Sequence, residues 1–419
     1  MDLAIIADDL TGAILIAAAI EAGGTSCPVV LGPPDAALDE AARVVVFATR
    51  TRLAPATEAV ATVTAILDAI EAGGRSPQVA YKVCSSFDST DEGNIGPVAD
   101  LFLSRYGDTP LLMSAGYPKT GTTVHQGYLF YRGRLVSESI KRHDPLTPMT
   151  DPDLVRTIAR QTQNRVGLVP HGVLREGAAS ATRRLGELGA AGISLVLLDC
   201  SDDEDARIGA ELTLARRATI GSDAHVMALA AARLIETERL FSPPPPHARG
   251  PGAAIFGSVG PVAEAQIAAF ERDCPMLRID LMDPNPVEAI VAEALAWAGP
   301  RIGERPLGVT TAPAEGAALA DAQKSFGVLG AARRAEAILA GVAAGLVARG
   351  VARLAVSGGE TSGAVAAALD IATVRSLPDQ GFGGGLCVAD TPRPLSLYFK
   401  SGKLGDDDVM LQALAAMCD

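Results

Sequence analysis

The chain has 419 residues, of which 48% are hydrophobic and 20% are charged, and its formal net charge is −13. This composition is typical of a folded globular protein rather than a disordered one, and the length predicts two or three domains. The negative charge disfavours a nucleic-acid partner, and the longest apolar runs, Ile14–Ile20 and Ile338–Val347, are shorter than the roughly 20 residues that cross a bilayer.

Short apolar runs alternate with helix-like stretches in the first half of the chain. This alternation is typical of a mainly parallel sheet covered by helices. Helices are predicted at Ala13–Ala22 and Ala56–Ala72. Strands are predicted at Leu3–Ala7, Val44–Ala48, Val79–Val83, Pro110–Ser114, Arg165–Val169 and Ser194–Asp199.

A run of prolines, Pro243–Pro246, divides the chain. Consecutive prolines cannot continue a helix or enter a sheet interior, so we predict domains at 1–242 and 253–419 joined by a linker at 243–252. The alternative is a surface loop within one domain. The strand and helix pattern then returns, with predicted strands at Ala253–Phe256, Leu307–Thr310, Leu354–Val356 and Leu395–Phe399, and predicted helices at Pro261–Arg272 and Ala331–Arg349. The predicted fold class is α/β, with two domains that each contain a mainly parallel sheet flanked by helices.

The first predicted strand ends at Asp8 and Asp9, directly before a helix start. Ligands of open α/β sheets bind beyond the carboxyl ends of the strands. Two carboxylates at this place suit the binding of hydroxyl groups or service as a general base, although Asp9 or Thr11 can instead simply cap the helix. We expect one acid to be the cap and Asp8 to be the functional one.

Two other loops of the first half combine cations with polar groups. Lys82 leads into Ser86 and Asp88, so the lysine can hold a carboxylate while the other two bind hydroxyl groups. Arg50 follows the predicted strand Val44–Ala48 and offers a guanidinium for a carboxylate. The alternatives are a solvated turn with a capping side chain for the first loop and an exposed basic turn for the second.

Three glycine-rich segments follow predicted strands of the second half. They begin with Gly257-Ser258, with Gly358-Gly359-Glu360-Thr361 and with Lys400-Ser401-Gly402. Free N–H groups at glycine turns and helix starts bind anions, although such turns are also common in α/β folds without a ligand. Glu360 and Thr361 are candidates for placing Mg²⁺ or phosphate.

Other features argue against alternative sites and compartments. The segment 116–121 resembles a phosphate-binding P-loop but lacks the lysine directly after its second glycine. The few histidines show no metal-ligand spacing on a helix, so no metal site of the protein's own is expected. No secretory signal is apparent, and the six cysteines are scattered, which predicts a reduced, cytoplasmic protein.

Taken together, these motifs resemble the four-carbon acid sugar kinase family, and within it the 3-oxo-tetronate 4-kinase branch. The matching segments are Ala7–Ala13, Lys82–Thr90, Gly93–Pro97, Gln126–Phe130, Ser137–Ser139, His143–Met149, Gly358–Gly363 and Lys400–Gly402. The resemblance implies an N-terminal substrate domain, a C-terminal nucleotide domain, and ATP-dependent phosphorylation of the terminal C4 hydroxyl of a four-carbon acid.

The resemblance also implies roles for individual residues. ATP, with Mg²⁺, would be held by Ser258, Gly358, Gly359, Glu360, Thr361 and Gly402. The sugar acid would be faced by Asp8, Asp9, Arg50, Lys82, Ser86 and Asp88. We expect the active site to lie in the cleft between the domains, with Asp8 orienting or deprotonating the attacking hydroxyl. A homo-oligomer is possible, and neither a nucleic acid nor a membrane is expected as a partner.

The chain departs from the family pattern mainly in its nucleotide half. Val259-Gly260-Pro261 follows Ser258 where a small Cys-Ser pair is usual, Gly381–Gly385 replaces a Pro-Gly-Val-Pro-like segment, and Lys403-Leu404 replaces Asn-Phe. These changes motivate one rival hypothesis, a non-catalytic sugar-acid-binding protein with impaired ATP turnover. A second rival is a kinase that acts on threonate or erythronate.

Overall fold

The computed structural model describes residues 1–31, 42–144, 147–234, 243, 246–312, 316–378, 381–389, 391, 394–402 and 404–418. The chain divides into two compact units. The first unit is Met1–Ile16, Gly23–Cys27 and Pro33–Phe241, and the second unit is Ala17–Ala22, Pro28–Gly32 and Ser242–Asp419. Pro244 and Pro245 of the predicted linker, Lys403, and positions 145 and 146 of the His143–Met149 motif lie outside the described residues.

The predicted strands and helices are all present, with small shifts at their ends. The strands are β1 (Leu3–Ala7), β2 (Pro28–Val30), β3 (Val44–Ala48), β4 (Gln78–Lys82), β5 (Leu111–Ser114), β6 (Thr122–His125), β7 (Tyr128–Tyr131), β8 (Arg134–Leu135), β9 (Val166–Val169), β10 (Leu195–Leu198), β11 (Ala218–Gly221), β12 (Gly252–Phe256), β13 (Met276–Arg278), β14 (Leu307–Thr310), β15 (Arg353–Ser357), β16 (Thr373–Ser376), β17 (Gly384–Ala389) and β18 (Leu395–Lys400).

The helices are α1 (Leu10–Ala22), α2 (Ala56–Ala72), α3 (Ile95–Tyr106), α4 (Leu154–Ala159), α5 (His171–Arg175), α6 (Ala178–Ala190), α7 (Asp203–Thr213), α8 (Asp223–Leu234), α9 (Pro261–Asp273), α10 (Val287–Ala298), α11 (Gly316–Phe326), α12 (Val328–Ala348), α13 (Gly359–Ala368) and α14 (Val409–Ala416). Within the described part of the chain, no helix has both the length and the apolar character that a membrane span requires.

The first unit is built on a parallel sheet with the strand order β3-β1-β4-β11-β5-β10-β9. Every residue of β1 is buried, as expected for a strand covered on both faces. Ala7 at the end of β1 is in register with Ala48 of β3 and with Lys82 of β4. The loops after these three strands therefore leave the sheet side by side. A small antiparallel sheet, β6-β7-β8, completes the strands of this unit.

The second unit has the strand order β13-β14-β12-β15-β18-β17-β16-β2. In this order, β13, β14, β12, β15 and β18 pair in parallel. The strands β17, β16 and β2 join them through antiparallel pairings. Phe256 is in register with Thr310 and Ser357, and Ser357 is in register with Lys400. The three glycine-rich segments consequently start at the same edge of this sheet. The mainly parallel α/β fold predicted from the sequence is confirmed.

Candidate active site

The loop between β1 and α1 carries the first pair of acids. The Oδ1 atom of Asp9 accepts a hydrogen bond from the Gly12 N–H at 2.9 Å, which is the geometry of a helix cap. The prediction that one of the two acids caps the helix is therefore confirmed, and Asp9 is that acid. Asp8 is almost fully buried beside it. The Thr11 hydroxyl, also at the start of α1, is buried without a hydrogen-bond partner among the described residues.

Arg52 holds both of these carboxylates. Its Nε donates to Asp8 Oδ2 at 2.9 Å and its Nη2 donates to Asp8 Oδ1 at 2.8 Å, a bidentate pair. The same Nη2 lies 3.0 Å from Asp9 Oδ1. Arg50, the arginine singled out from the sequence, is exposed two residues away. Its predicted contact with the substrate carboxylate stays a prediction.

Burial and charge separate the titration of the two neighbouring acids. Burial raises the pKa of Asp8, and the adjacent Asp9 charge adds to this effect while Arg52 opposes it. Burial acts on Asp9 as well, but Arg52, Lys82 and the Gly12 N–H outweigh it and lower the pKa of Asp9. Two carboxylates whose environments drive their pKa values apart are suited to different roles, and Asp8 is the one better able to take up a proton.

Lys82 lies at the end of β4 and is buried. Its Nζ pairs with Asp223 Oδ1 at 3.2 Å, where Asp223 is the first residue of α8. A Cβ atom at Gly12 would collide with the Lys82 ammonium, so this glycine lets the lysine approach the start of α1. The pKa of Lys82 is raised, because the charges of Asp223, Asp9 and Asp8 outweigh the opposing effect of burial. We call Asp8, Asp9, Arg52, Lys82 and Asp223 the Asp8 cluster.

A second group of polar side chains follows β4. Ser86 Oγ donates to Asp88 Oδ1 at 2.7 Å, and Lys141 Nζ donates to both oxygens of Asp88 at 2.9 and 2.6 Å. Lys141 outweighs the burial of Asp88, with help from Ser86, and so lowers the pKa of this carboxyl. Phe87, between Ser86 and Asp88, is buried with φ of 52°, a left-handed conformation that a bulky side chain adopts only when its surroundings hold it there. We call Ser86, Asp88 and Lys141 the Asp88 cluster.

The three glycine-rich segments of the second unit converge at the edge of its sheet. A Cβ atom at Gly402 would overlap the Ser258 hydroxyl, and one at Gly257 would overlap the Thr361 hydroxyl. Gly358, with φ of 127°, would place a Cβ 3.0 Å from both of these hydroxyls. Only glycine lets the Ser258 and Thr361 hydroxyls approach the backbone this closely, so the residues form a cradle of hydroxyls and backbone. We call Gly257, Ser258, Gly358, Thr361 and Gly402 the glycine cradle.

Helix α13 begins at this cradle with Gly359 and Glu360. The N–H groups in the first turn of a helix have no acceptors within that helix, and the helix dipole favours an anion there. The Gly358 N–H itself is used, because it donates to the backbone oxygen of Lys400 at 2.9 Å. The donors that fit an anion are therefore the first turn of α13 and the two hydroxyls.

In the part of the chain that the structure describes, one other group of ligand-type side chains lies together, formed by His171, Asp202 and Asp205. His171 Nδ1 is 2.8 Å from Asp205 Oδ2, which also accepts the Ser201 N–H at 2.8 Å. Asp202 caps α7 through the Asp205 N–H. These contacts are those of a capped helix start.

Arg52, Lys141 and Asp223 were not predicted as site residues from the sequence. Arg52 had the same residue type and nearly the same position as Arg50, so composition could not separate the two. Lys141 lies 53 positions from Asp88 in the chain. No sequence signal connected it to that acid.

A family model for a sugar-binding N-terminal domain matches residues 3–232, and one for a nucleotide-binding C-terminal domain matches residues 253–410. A protein of Methylobacterium radiotolerans named 3-oxo-tetronate kinase is 37% identical over 99% of this chain and 99% of its own length. A Cupriavidus necator protein of the same name is 36% identical over 98% of this chain and 96% of its own. A crystal structure from Salmonella typhimurium LT2, described as a candidate tRNA synthase, matches with a TM-score of 0.83 and 31% identity over 98% of both chains.

Proposed function

The chain belongs to the four-carbon acid sugar kinase family, and we propose that it is an ATP-dependent kinase that phosphorylates the C4 hydroxyl of 3-oxo-tetronate. The observation that carries this proposal is the similarity, over nearly the whole chain, to relatives named for that activity. The geometry of each unit supplies the groups that such a reaction needs.

We assign the sugar acid to the first unit. Its carboxylate needs positive charge, which Lys82 at the end of β4 and Arg50 just after β3 provide on either side of β1. Ser86 and Asp88 are assigned to its hydroxyl groups. The buried Thr11 hydroxyl without a partner supports a polar ligand at this end of α1, because an unsatisfied buried hydroxyl costs free energy that a ligand can recover.

Asp8 is our candidate for orienting or deprotonating the C4 hydroxyl. Its raised pKa makes it a better proton acceptor than Asp9, whose carboxylate also caps α1. Phosphoryl transfer depends mainly on positioning and on charge neutralisation, so no special nucleophile is required. The location of the active site between the two domains stays a prediction.

We assign ATP to the glycine cradle of the second unit. Two hydroxyls, glycines without a Cβ and the start of α13 fit the chemistry of a phosphate chain. When bound, Mg²⁺ neutralises charge between the phosphates. We assign its binding to the side of the glycine cradle that carries Glu360, in the first turn of α13. The changed residues after Ser258 begin with Val259, an exposed apolar side chain, and leave the converging glycines intact.

We also place the protein in the cytoplasm. All six cysteines are described, and each is a free thiol. Such usage is typical of a reducing compartment.

A coupled assay of ADP release with a panel of four-carbon acids tests the proposed function. We expect turnover with 3-oxo-tetronate to exceed turnover with threonate and erythronate. Asp8→Asn should lower kcat sharply while leaving the fold intact, because Arg52 retains Asp9 as a partner. Higher turnover with threonate or erythronate would transfer the assignment to the corresponding kinase.

A thermal unfolding series with ATP distinguishes the non-catalytic rival. ATP at 100 times its Kd should stabilise a nucleotide-binding protein by about 2.7 kcal/mol. Stabilisation by a sugar acid alone, without any effect of ATP and without ADP release, would support a sugar-acid-binding protein that does not turn ATP over.

A further inference from the structure

Lys400, the last residue of β18, carries a buried cation that the proposed function has not used. Its side chain has no solvent exposure. Its Nζ donates to Gln266 Oε1 at 2.9 Å and to Ser357 Oγ at 3.1 Å. Both acceptors are neutral oxygens.

No carboxylate among the described residues lies within ion-pair distance of this ammonium. The elements packed against it are β15, β17, α9 and α13. Arg353 of β15 is bonded at the far end of that strand to the Gly250 and Leu414 carbonyl oxygens, and Cys387 of β17 is in register with Leu397 rather than with Lys400. Glu360 in the first turn of α13 is half-buried. The charged residues of α9 are all exposed, and these are Glu264, Glu271, Arg272 and Asp273.

Burying an ammonium without an opposite charge is costly, and such groups are rare unless they are paired. The position of Lys400 identifies what can pair with it. Its backbone oxygen accepts the Gly358 N–H at 2.9 Å, its hydrogen-bond partner Ser357 directly precedes Gly358, and Gly402 follows it by two residues. The cation therefore lies directly behind the glycine cradle.

The lysine also organises the loop that closes the cradle. Gln266 accepts from Lys400 through Oε1 and uses its amide nitrogen to donate to the backbone oxygens of Leu404, Gly405 and Asp406, each at 3.1 Å. One side-chain amide thus links the ammonium to three consecutive carbonyls of the segment after Gly402.

We propose that Lys400 is a positioning residue of the nucleotide site, whose buried charge is compensated by the phosphates of a bound nucleoside triphosphate and whose contact with Gln266 holds the loop after Gly402. This inference rests on the proposed function, since it assigns the triphosphate to the glycine cradle. Lys400 acts through the loops and through its charge, because Ser357 and Gln266 already accept two of the three hydrogen bonds that its ammonium can donate.

The buried ammonium of Lys400 should make nucleotide binding depend on pH. In the free protein, burial lowers the pKa of Lys400 from 10.5 to about 8. A triphosphate nearby favours the charged form, so binding should draw in a proton near pH 8 to 9, and affinity should fall as the pH rises above about 8. In the absence of nucleotide the sign is opposite. Between pH 8 and 10.5 the folded protein holds fewer protons than the unfolded chain. Its stability relative to a variant without the lysine therefore increases as the pH rises through this range.

The test compares Lys400→Met with Lys324→Met, which removes the same charge from an exposed position of the second unit. Binding of MgATP without acceptor is measured by calorimetry at pH 7.5 and 9.5, in buffers of different ionisation enthalpy. For the wild type we expect proton uptake and a Kd at least about tenfold higher at pH 9.5. For K400M we expect a Kd at least about tenfold higher than wild type at pH 7.5, with little further change at pH 9.5. K324M should match the wild type.

Unfolding of the nucleotide-free proteins supplies the second measurement. K400M should be as stable as the wild type or more stable, since it removes an uncompensated buried charge. A lysine with a purely structural role gives the opposite result, namely lower stability with unchanged MgATP binding, and that result would overturn the proposal.

The wild type alone also decides the question if K400M does not fold. Binding of MgATP without proton uptake between pH 8 and 9 would refute the inference and leave the proposed function standing. Failure of the wild type to bind MgATP at any pH would instead refute the assignment of ATP to this chain, and the inference with it.

Discussion

Replacing Arg52 by methionine tests the electrostatic core of the first unit. Arg52 is the cation that joins Asp8 and Asp9, with two hydrogen bonds to the first and a contact of 3.0 Å to the second. Methionine keeps an apolar stem of similar length and removes the guanidinium. Arg50→Met is a matched control, because Arg50 lies in the same loop but is exposed.

The expected loss follows from the burial of the partners. Removing one member of a buried ion pair typically costs about 3–5 kcal/mol, because the other charge is left without compensation. The Asp8 side chain is 5% exposed and the Arg52 side chain is 23% exposed. Solvent therefore screens the pair on one side, and we expect R52M to lose about 3 kcal/mol, near the lower limit of that range. R50M should stay within about 0.5 kcal/mol of the wild type in stability.

Urea unfolding at pH 7.5 and pH 5 measures both variants. The loss in R52M should be smaller at pH 5, because without Arg52 the Asp8 and Asp9 pKa values rise and protonation removes the uncompensated charges. The double variant R52M/D8N should recover part of the loss. Equal stability of R52M and R50M, or a loss in R52M that grows as the pH falls, would refute the assignment of Arg52 as the cation that holds these two acids.

Two further predictions concern the other clusters. Gly402→Ala should raise the Kd of MgATP by about tenfold or more, because the added methyl group overlaps the Ser258 hydroxyl, whereas Gly299→Ala, which faces open space, should leave it unchanged. Lys141→Met should move the acid limb of the kcat/KM profile to higher pH, since the Asp88 pKa is lowered by Lys141 in the wild type, and an unshifted limb would remove Asp88 from the reaction.

Much of the fold was predictable because strong local signals agree with the tertiary structure. Strands such as Leu3–Ala7 and Leu307–Thr310 are apolar runs that fill a sheet covered on both faces, and their bounds were predicted correctly. The antiparallel strands β16 and β17 were not predicted. Thr373–Ser376 includes Arg375, and Gly384–Ala389 starts with two glycines, so neither presents the continuous β-branched or aromatic run that identifies a buried strand.

The sequence also predicted which loops carry the candidate groups, because parallel strands deliver the residues at their carboxyl ends to one edge. Asp8 follows β1, Lys82 ends the neighbouring β4 and Asp88 lies in the loop after it, whereas Ser258, Gly358 and Gly402 follow β12, β15 and β18. Their roles toward a sugar acid and ATP stay predictions. The partner of each charged group was not predictable, since nothing in the sequence indicated that Arg52 contacts Asp8 and Asp9.

Residue types and spacing therefore determined the α/β class, the positions of its main strands and the loops at their ends, since these depend on interactions between residues close in the chain. Only the tertiary structure decided the partners of the buried charged groups. Arg52 reaches Asp8 across 44 positions, Lys141 reaches Asp88 across 53, and Lys400 reaches Gln266 across 134. Such pairs depend on strand order and on the path of each loop after its strand. A buried charge is stable only where the folded chain brings a partner to it, and that partner is set by three-dimensional position rather than by sequence neighbourhood.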